Sequence, residues 1–332
     1  MNISGKLAAQ MAARAIRNKI QKKPISVSFE ITHSCTANCW HCNWGGPIKE
    51  TRLNADQYAE ICRELNPVVC NISGGEPLAR GDVYEIVEKV GGKKNLPWMV
   101  VVSNSSNLTP ERFFRLKDAG MHQLSVSMDF PDDRHSEFRR IPGLFDHMSE
   151  VIPDLAKVNK YDDILLNVCI TAWNYKSVPD IIRLAKDWGV PVNLSVYSHL
   201  RVQDREGLPK AELFADLKQT LEEAIDLQKG GYPLYTKPSV IWKYYQFLTE
   251  GGISGCQAGK GFLVVNPDGR MTPCAMVMAY FDTQKDMLNQ FTKQNTCDQC
   301  YISTRANTEK TIADHLRDNG EILSRILTPW RA

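Results

Sequence analysis

Between residues 26 and 197 the chain repeats one pattern: a short run rich in β-branched and apolar residues, then a stretch with helical spacing. The runs are 26–31 (SVSFEI), 68–73 (VVCNIS), 98–103 (WMVVVS), 123–128 (QLSVSM), 164–171 (ILLNVCIT) and 191–197 (PVNLSVY). Helical patterns fill the gaps near 54–65, 81–92, 109–118, 143–157 and 176–187. Six strands alternating with helices predict βα units in a parallel sheet. The runs read as apolar almost throughout, which predicts a sheet covered on both faces. The expected fold class is therefore α/β, a partial (β/α)6 TIM-like barrel, with function on the loops at the C-terminal strand ends.

The polar features obey that geometry. THSCTANCWHC follows the first run, GGEP (74–77) the second, SNSS (103–106) the third and MDF (128–130) the fourth. Beyond 200 the rhythm breaks. Helices are expected over 209–227 and 238–250, two short strands around a Pro-Asp-Gly turn in FLVVNPDGRMTP (262–273), and a last helix near 309–327. The division is then an N-terminal helix (1–24), a core (25–205), a helical linker (206–250) and a small C-terminal unit (251–332).

At 332 residues, 43% apolar and 23% charged, the chain has the composition of a globular protein rather than a disordered one. A net charge of +2 implies no nucleic-acid partner. No apolar run approaches a membrane span, and no secretory signal opens the chain, so a cytoplasmic setting is expected. Ten cysteines in a reducing compartment are not read as disulfides. Cys62, Cys70 and Cys169 fit as small core residues. The other seven form two groups.

Cys35, Cys39 and Cys42 lie within eight residues. A structural tetrahedral zinc needs a fourth ligand, for which only His33 or His41 is near. Three thiolates on an iron–sulfur cubane would leave one iron open, as a catalytic site requires. Cys256, Cys274, Cys297 and Cys300 make a full set of four. They suit either a saturated cluster or a zinc ribbon.

CTANCWHC on the loop after the first strand resembles the CxxxCxxC motif of radical S-adenosylmethionine (radical SAM) enzymes, a likeness spanning roughly residues 25–200. The resemblance implies a [4Fe–4S] cluster on Cys35, Cys39 and Cys42, with SAM as its fourth ligand. It implies reductive cleavage of SAM to a 5′-deoxyadenosyl radical, which abstracts hydrogen from an unactivated C–H bond. It also implies SAM contacts. Gly74, Gly75, Glu76 and Pro77 of SGGEP would meet the amino group. Ser127 and Asp129 of SVSMD would meet the ribose. Arg139 of HSEFRRIPGLFDHM would meet the carboxylate, with Asn104 and Asn167 as further candidates. His41 departs from the family, which usually has an aromatic residue before the last cysteine.

The second set, with CQAGKGFLVVNPDGRMTPC, resembles the start of the SPASM extension of these enzymes. A full extension has seven cysteines, whereas YISTRANTEK after Cys300 has none. The shortened twitch form, with one auxiliary [4Fe–4S] cluster, is what this resembles. A saturated cluster suits electron transfer, so the expected function is oxidation of a small-molecule or lipid substrate. A peptide maturase is the alternative, less favoured because 24 residues before the first strand cannot hold a leader-binding domain. A flavodoxin or ferredoxin is the expected electron donor. Tyr197, His199 and Arg201 are candidate catalytic or anchoring residues. Residues 4–23 read as a basic amphipathic helix with a stripe of Leu7, Met11, Ala15, Ile16 and Ile20, expected to pack on the domain with its charged face in water, with peripheral membrane contact as the alternative.

Overall fold

A computed structural model describes residues 4–91, 95–160 and 162–310. Helix α1 (Gly5–Gln21) leads into β1 (Ser26–Thr32). The repeating units follow as α2 (Ala55–Leu65), β2 (Val69–Gly74), α3 (Val83–Gly91), β3 (Trp98–Ser103), α4 (Pro110–Asp118) and β4 (Gln123–Ser127). Then come α5 (Arg134–Arg139), α6 (Leu144–Val158), β5 (Ile164–Ile170), α7 (Val178–Trp188) and β6 (Val192–Val196). Helices α8 (Phe214–Lys229) and α9 (Pro238–Glu250) come next, then β7 (Phe262–Val265) and β8 (Met271–Thr272), then α10 (Gln284–Gln290) and α11 (Ser303–Thr308). The helix expected near 309–327 lies almost wholly outside the described residues.

Strands β1 to β6 pair in chain order and in parallel. The sheet continues past β1, where β7 pairs in parallel with Ser26 opposite Phe262, and β8 returns antiparallel. The order is β6-β5-β4-β3-β2-β1-β7-β8. The C-terminal hairpin is thus an extension of the barrel sheet, and Met271, Met287 and Tyr301 share its main core.

The strands are not apolar on both faces, contrary to the expectation from their composition. Val27, Phe29 and Ile31 of β1, Ile72 of β2, Met99 and Val101 of β3 and Val168 of β5 are fully buried in the core beneath the helices. Between them stand Ser28, Asn71, Ser73, Ser127, Asn167, Cys169 and Asn193, all half-exposed. Successive strand residues point to opposite faces, so this second set lines the inside of the barrel. The alternation is present in SVSFEI, but small Ser and Cys among β-branched residues mask it.

The N-terminal helix also differs from its sequence reading. Leu7, Met11, Arg14 and Ala15 are partly covered and Asn18 is buried, whereas Ile16 and Ile20 are 61% and 77% exposed. Polar anchoring explains the rotation. The Asn18 amide donates to the Pro24 and Asn66 carbonyls at 2.7 and 2.9 Å, and Arg14 donates to the Pro67 carbonyl. Buried donors left without such acceptors would cost about 1–3 kcal/mol each, which outweighs hiding an isoleucine at a helix edge. No helix among the described residues is long and apolar enough to cross a membrane.

Candidate active site

The loop after β1 carries Cys35, Cys39 and Cys42 over the C-terminal end of the barrel. Its stem is closed by Cys35 N–H donating to the Gly46 carbonyl at 3.0 Å, and its middle by Asn38 N–H donating to the Arg139 carbonyl at 3.1 Å. The sulfurs accept weak hydrogen bonds: Cys35 from Ala37 N–H (3.4 Å) and the Asn104 amide (3.6 Å), and Cys42 from Trp44 N–H (3.5 Å). Burial pushes the Cys39 thiol up to about 12 and raises Cys35 as well. These are positions where bare thiols stay protonated and a bound cationic centre supplies the charge that makes them thiolates.

The turn after β2 explains its two glycines. A Cβ on Gly74 would stand 2.1 Å from the Thr32 carbonyl oxygen, and one on Gly75 2.1 Å from that of Ser34. Gly74 also has φ +127°. The close approach lets Gly75 and Glu76 N–H groups donate to those two carbonyls at 2.7 and 2.9 Å, welding the turn to the stem of the cysteine loop. Gly75→Ala should therefore lower stability by about 3 kcal/mol, since backbone must move to relieve the clash. Urea unfolding of iron-free protein checks this.

Glu76 is fully buried. Its carboxylate accepts from Leu78 N–H (2.9 Å), Ser103 Oγ (2.8 Å) and Asn104 N–H (2.7 Å). Burial pushes its carboxyl up, against the pull of those donors. Pro77 opens a short 3-10 turn behind it. Asn104 in turn donates to Thr36 Oγ1 at 2.9 Å, so the β3 exit also grips the cysteine loop.

Asp129 is fully buried beyond β4 and pairs with Arg139 Nε at 2.7 Å. Burial raises its carboxyl, but the Arg139 guanidinium outweighs that and holds it below the usual range. Its Oδ1 has no hydrogen-bond partner among the described residues. His41 stacks on Phe138 with centroids 5.1 Å apart and is lowered to about 4 by burial. Ser127 pairs in register with Asn167, both half-exposed on the inner wall.

Of the three candidates after β6, Tyr197 donates its hydroxyl to the Asp204 carbonyl at 2.8 Å, and His199 lies 3.2 Å from Arg205. Both engage their own loop. Arg201 reaches across the barrel to Glu30 on β1, both Nη atoms at 3.3 Å, donates from Nε to Asn43 Oδ1 at 3.0 Å and lies over the Trp44 ring at 4.6 Å. His33 stands between Glu30 (3.3 Å) and Glu50 (3.2 Å), stacked on Trp44. Of this group the sequence singled out Arg201, and His33 only as a possible zinc ligand; Glu30, Glu50 and Trp44 were not singled out. A carboxylate inside a buried strand was the available signal.

The second set lies beside β7, β8 and α11. Cys256, Cys274 and Cys300 are raised mainly by burial, and each feels the charge of others in the set. Arg305 is fully buried beneath them and donates to the Cys300 and Ser254 carbonyls and to Glu309. Ser198 Oγ donates to the Gln299 carbonyl at 3.1 Å, and Ser303 N–H donates to Ser195 Oγ at 3.0 Å. The second cysteine loop is thereby fixed to the C-terminal end of β6.

Residues 29–185 match the Radical SAM superfamily. The chain carries a radical SAM domain. It is similar to the AdoMet-dependent heme synthase of Methanosarcina barkeri, 26% identical over 275 residues and covering 76% of each chain. It is also similar to the PqqA peptide cyclase of Bradyrhizobium diazoefficiens, 26% identical over 267 residues, 76% of this chain and 66% of that one. Among solved structures, Streptococcus suis SuiB bound to S-adenosylmethionine superposes with a TM-score of 0.62 at 15% identity, covering 98% of this chain and 74% of that one. That likeness is one of fold.

A [4Fe–4S] cluster and SAM are the cofactors of such a domain, and the donor set fits the cluster. Cys35, Cys39 and Cys42 supply three thiols from one loop, with Cys39 buried, and thiolate is the ligand such clusters take.

Proposed function

We propose that this chain is a radical SAM enzyme that oxidises a peptide, with a second [4Fe–4S] cluster on Cys256, Cys274, Cys297 and Cys300 as electron acceptor. The observation that carries the reading is the segment after β6. Within four residues it touches the second cysteine loop through Ser198 and the first through Arg201. A substrate radical formed in the barrel would lie between the two sets. Peptide is favoured over the small-molecule or lipid substrate expected from the sequence because a peptide cyclase stands among the relatives matched over three quarters of the chain.

When bound, the cluster and SAM supply a radical that abstracts hydrogen, after reduction by a flavodoxin or ferredoxin. The chain's own residues bind and orient. With their N–H groups committed to Thr32 and Ser34, Gly75 and Glu76 can offer SAM only carbonyl oxygens, acceptors suited to its ammonium. Asp129 Oδ1 is an acceptor for a ribose hydroxyl, and Ser127, Asn167 and Arg139 stand beside it. Glu76 acts as a positioning residue that sets the turn and Asn104.

Anaerobic incubation with SAM, a reductant and candidate precursor peptides tests the reading by mass spectrometry. A peptide lighter by two hydrogens, with matching 5′-deoxyadenosine, supports it. Turnover of a tetrapyrrole and of no peptide overturns it in favour of the chemistry named for the heme synthase relatives.

Peripheral membrane contact is proposed through the outward face of α1, where Ile16 and Ile20 are flanked by Lys6, Arg17 and Lys19. Co-sedimentation with anionic vesicles should fall about tenfold in an Ile16→Ser, Ile20→Ser variant and should fall with salt. Binding unaffected by both removes the contact.

A further inference from the structure

Among the described residues Arg305 is the largest side chain that the fold buries completely. Arginine is almost never fully buried unless paired. Here Glu309 is the partner, and Arg305 Nε donates to both of its carboxylate oxygens at 2.9 Å. Their spacing of four residues at the end of α11 sets the two side by side. The other end of the guanidinium turns to the second cysteine set. Nη1 donates to the Cys300 carbonyl at 2.6 Å, and Nη2 to the carbonyl of Ser254, two residues before Cys256, at 2.7 Å. Glu309 accepts from the N–H of Gln257, one residue after Cys256, at 2.9 Å. The pair therefore stands between the Cys256 loop and the Cys300 loop.

Stability alone does not account for it. A buried ion pair costs desolvation that its attraction scarcely offsets, and apolar residues of the same volume often do as well or better. The charge acts on the thiols instead. Burial raises Cys256 and Cys300, the Arg305 guanidinium opposes that at both, and the Glu309 carboxylate adds to it, by less than Arg305 opposes it, at Cys256. Asp298, between two of the cysteines, is half-exposed, where water weakens its field.

We infer that Arg305 tunes the cluster on Cys256, Cys274, Cys297 and Cys300, raising its reduction potential so that it accepts an electron. This rests on the reading that the second set holds a [4Fe–4S] cluster, and deepens it. Four thiolates on such a core carry a net charge of about −2, which becomes about −3 when one electron arrives. A buried guanidinium favours the more negative form, and strongly so where water is excluded. The electron comes from the substrate radical, which releases one proton to water as it is oxidised. It leaves the cluster for a ferredoxin-class carrier.

Potentiometric titration of the reconstituted holoenzyme, followed by electron paramagnetic resonance, tests the inference. Added SAM identifies the first cluster, because it perturbs only the signal of a cluster with an open iron. At a fixed potential the ratio of reduced to oxidised second cluster should fall about tenfold in Arg305→Gln and rise in Glu309→Gln, which removes the opposing charge. The first cluster should titrate unchanged in both. Opposite signs mark a charge effect, whereas a loosened clamp between the two loops would move both variants the same way. If Arg305→Gln takes up no second cluster, the sign in Glu309→Gln decides alone. No shift, or shifts of one sign, in variants that keep about eight irons overturns the inference. Zinc at the second set of the wild-type protein removes this inference together with the electron-acceptor reading. The expected shifts without oxidation of any peptide would sink the peptide reading and leave Arg305 in its role.

Discussion

Replacing Cys35, Cys39 and Cys42 together by Ala should halve the iron of the reconstituted protein, from about eight to about four per chain, and abolish 5′-deoxyadenosine formation. The three thiols share one loop, and every hydrogen bond the sulfurs accept comes from that loop or from Asn104. No barrel strand hangs from them, so the fold should persist while one cluster disappears. The second set is anchored independently, through Ser198, Ser195 and Arg305. Its four irons should therefore remain, with an unchanged signal in electron paramagnetic resonance. Zinc retained at the second set, with wild-type iron stopping near four, would overturn the auxiliary cluster but not the first one. Iron near eight in the triple variant would remove these three residues from the site.

Glu76→Ala should destabilise the iron-free protein by about 3–5 kcal/mol, because it orphans three buried donors at about 1–3 kcal/mol each, partly relieved by relaxation. Against a typical total of about 5–15 kcal/mol that is a large fraction. The donors belong to the turn after β2 and to the β3 exit, which both hold the cysteine loop. Glu76→Gln keeps the volume but turns an amide nitrogen toward a donor, so it should lose less, about 2 kcal/mol. Urea unfolding without iron or SAM measures both. If Glu76 acted only as a counter-charge to SAM, neither variant would move the unfolding midpoint, and SAM affinity alone would fall. The geometry predicts that both fall together.

All eight strands and the spacing of both cysteine sets were legible in the chain. Each strand is a short β-branched run between turn residues, and each set is a local pattern that needs no partner to be seen. Which face of a strand lines the barrel was also written in SVSFEI, as Ser, Ser and Glu alternating with Val, Phe and Ile. It was hidden because half of a pattern with period two looks apolar when the other half is small. What only the tertiary structure decided lies in contacts between residues far apart in sequence. Gly74 and Gly75 serve the approach of this turn to the end of β1 and the cysteine loop, so close that an added Cβ would stand 2.1 Å from a carbonyl oxygen, which no local motif reveals. The Glu76 carboxylate turns to Ser103 and Asn104, 27 and 28 residues away. Arg201 meets Glu30 across 171 positions. The hairpin at 262–273 looked self-contained, yet β7 joins β1 because β1 offered an unpaired edge and an unmatched backbone edge must be covered. Sequence fixes which groups exist and their local period. The folded chain decides which of them are consumed by one another, and only the remainder is left for a ligand.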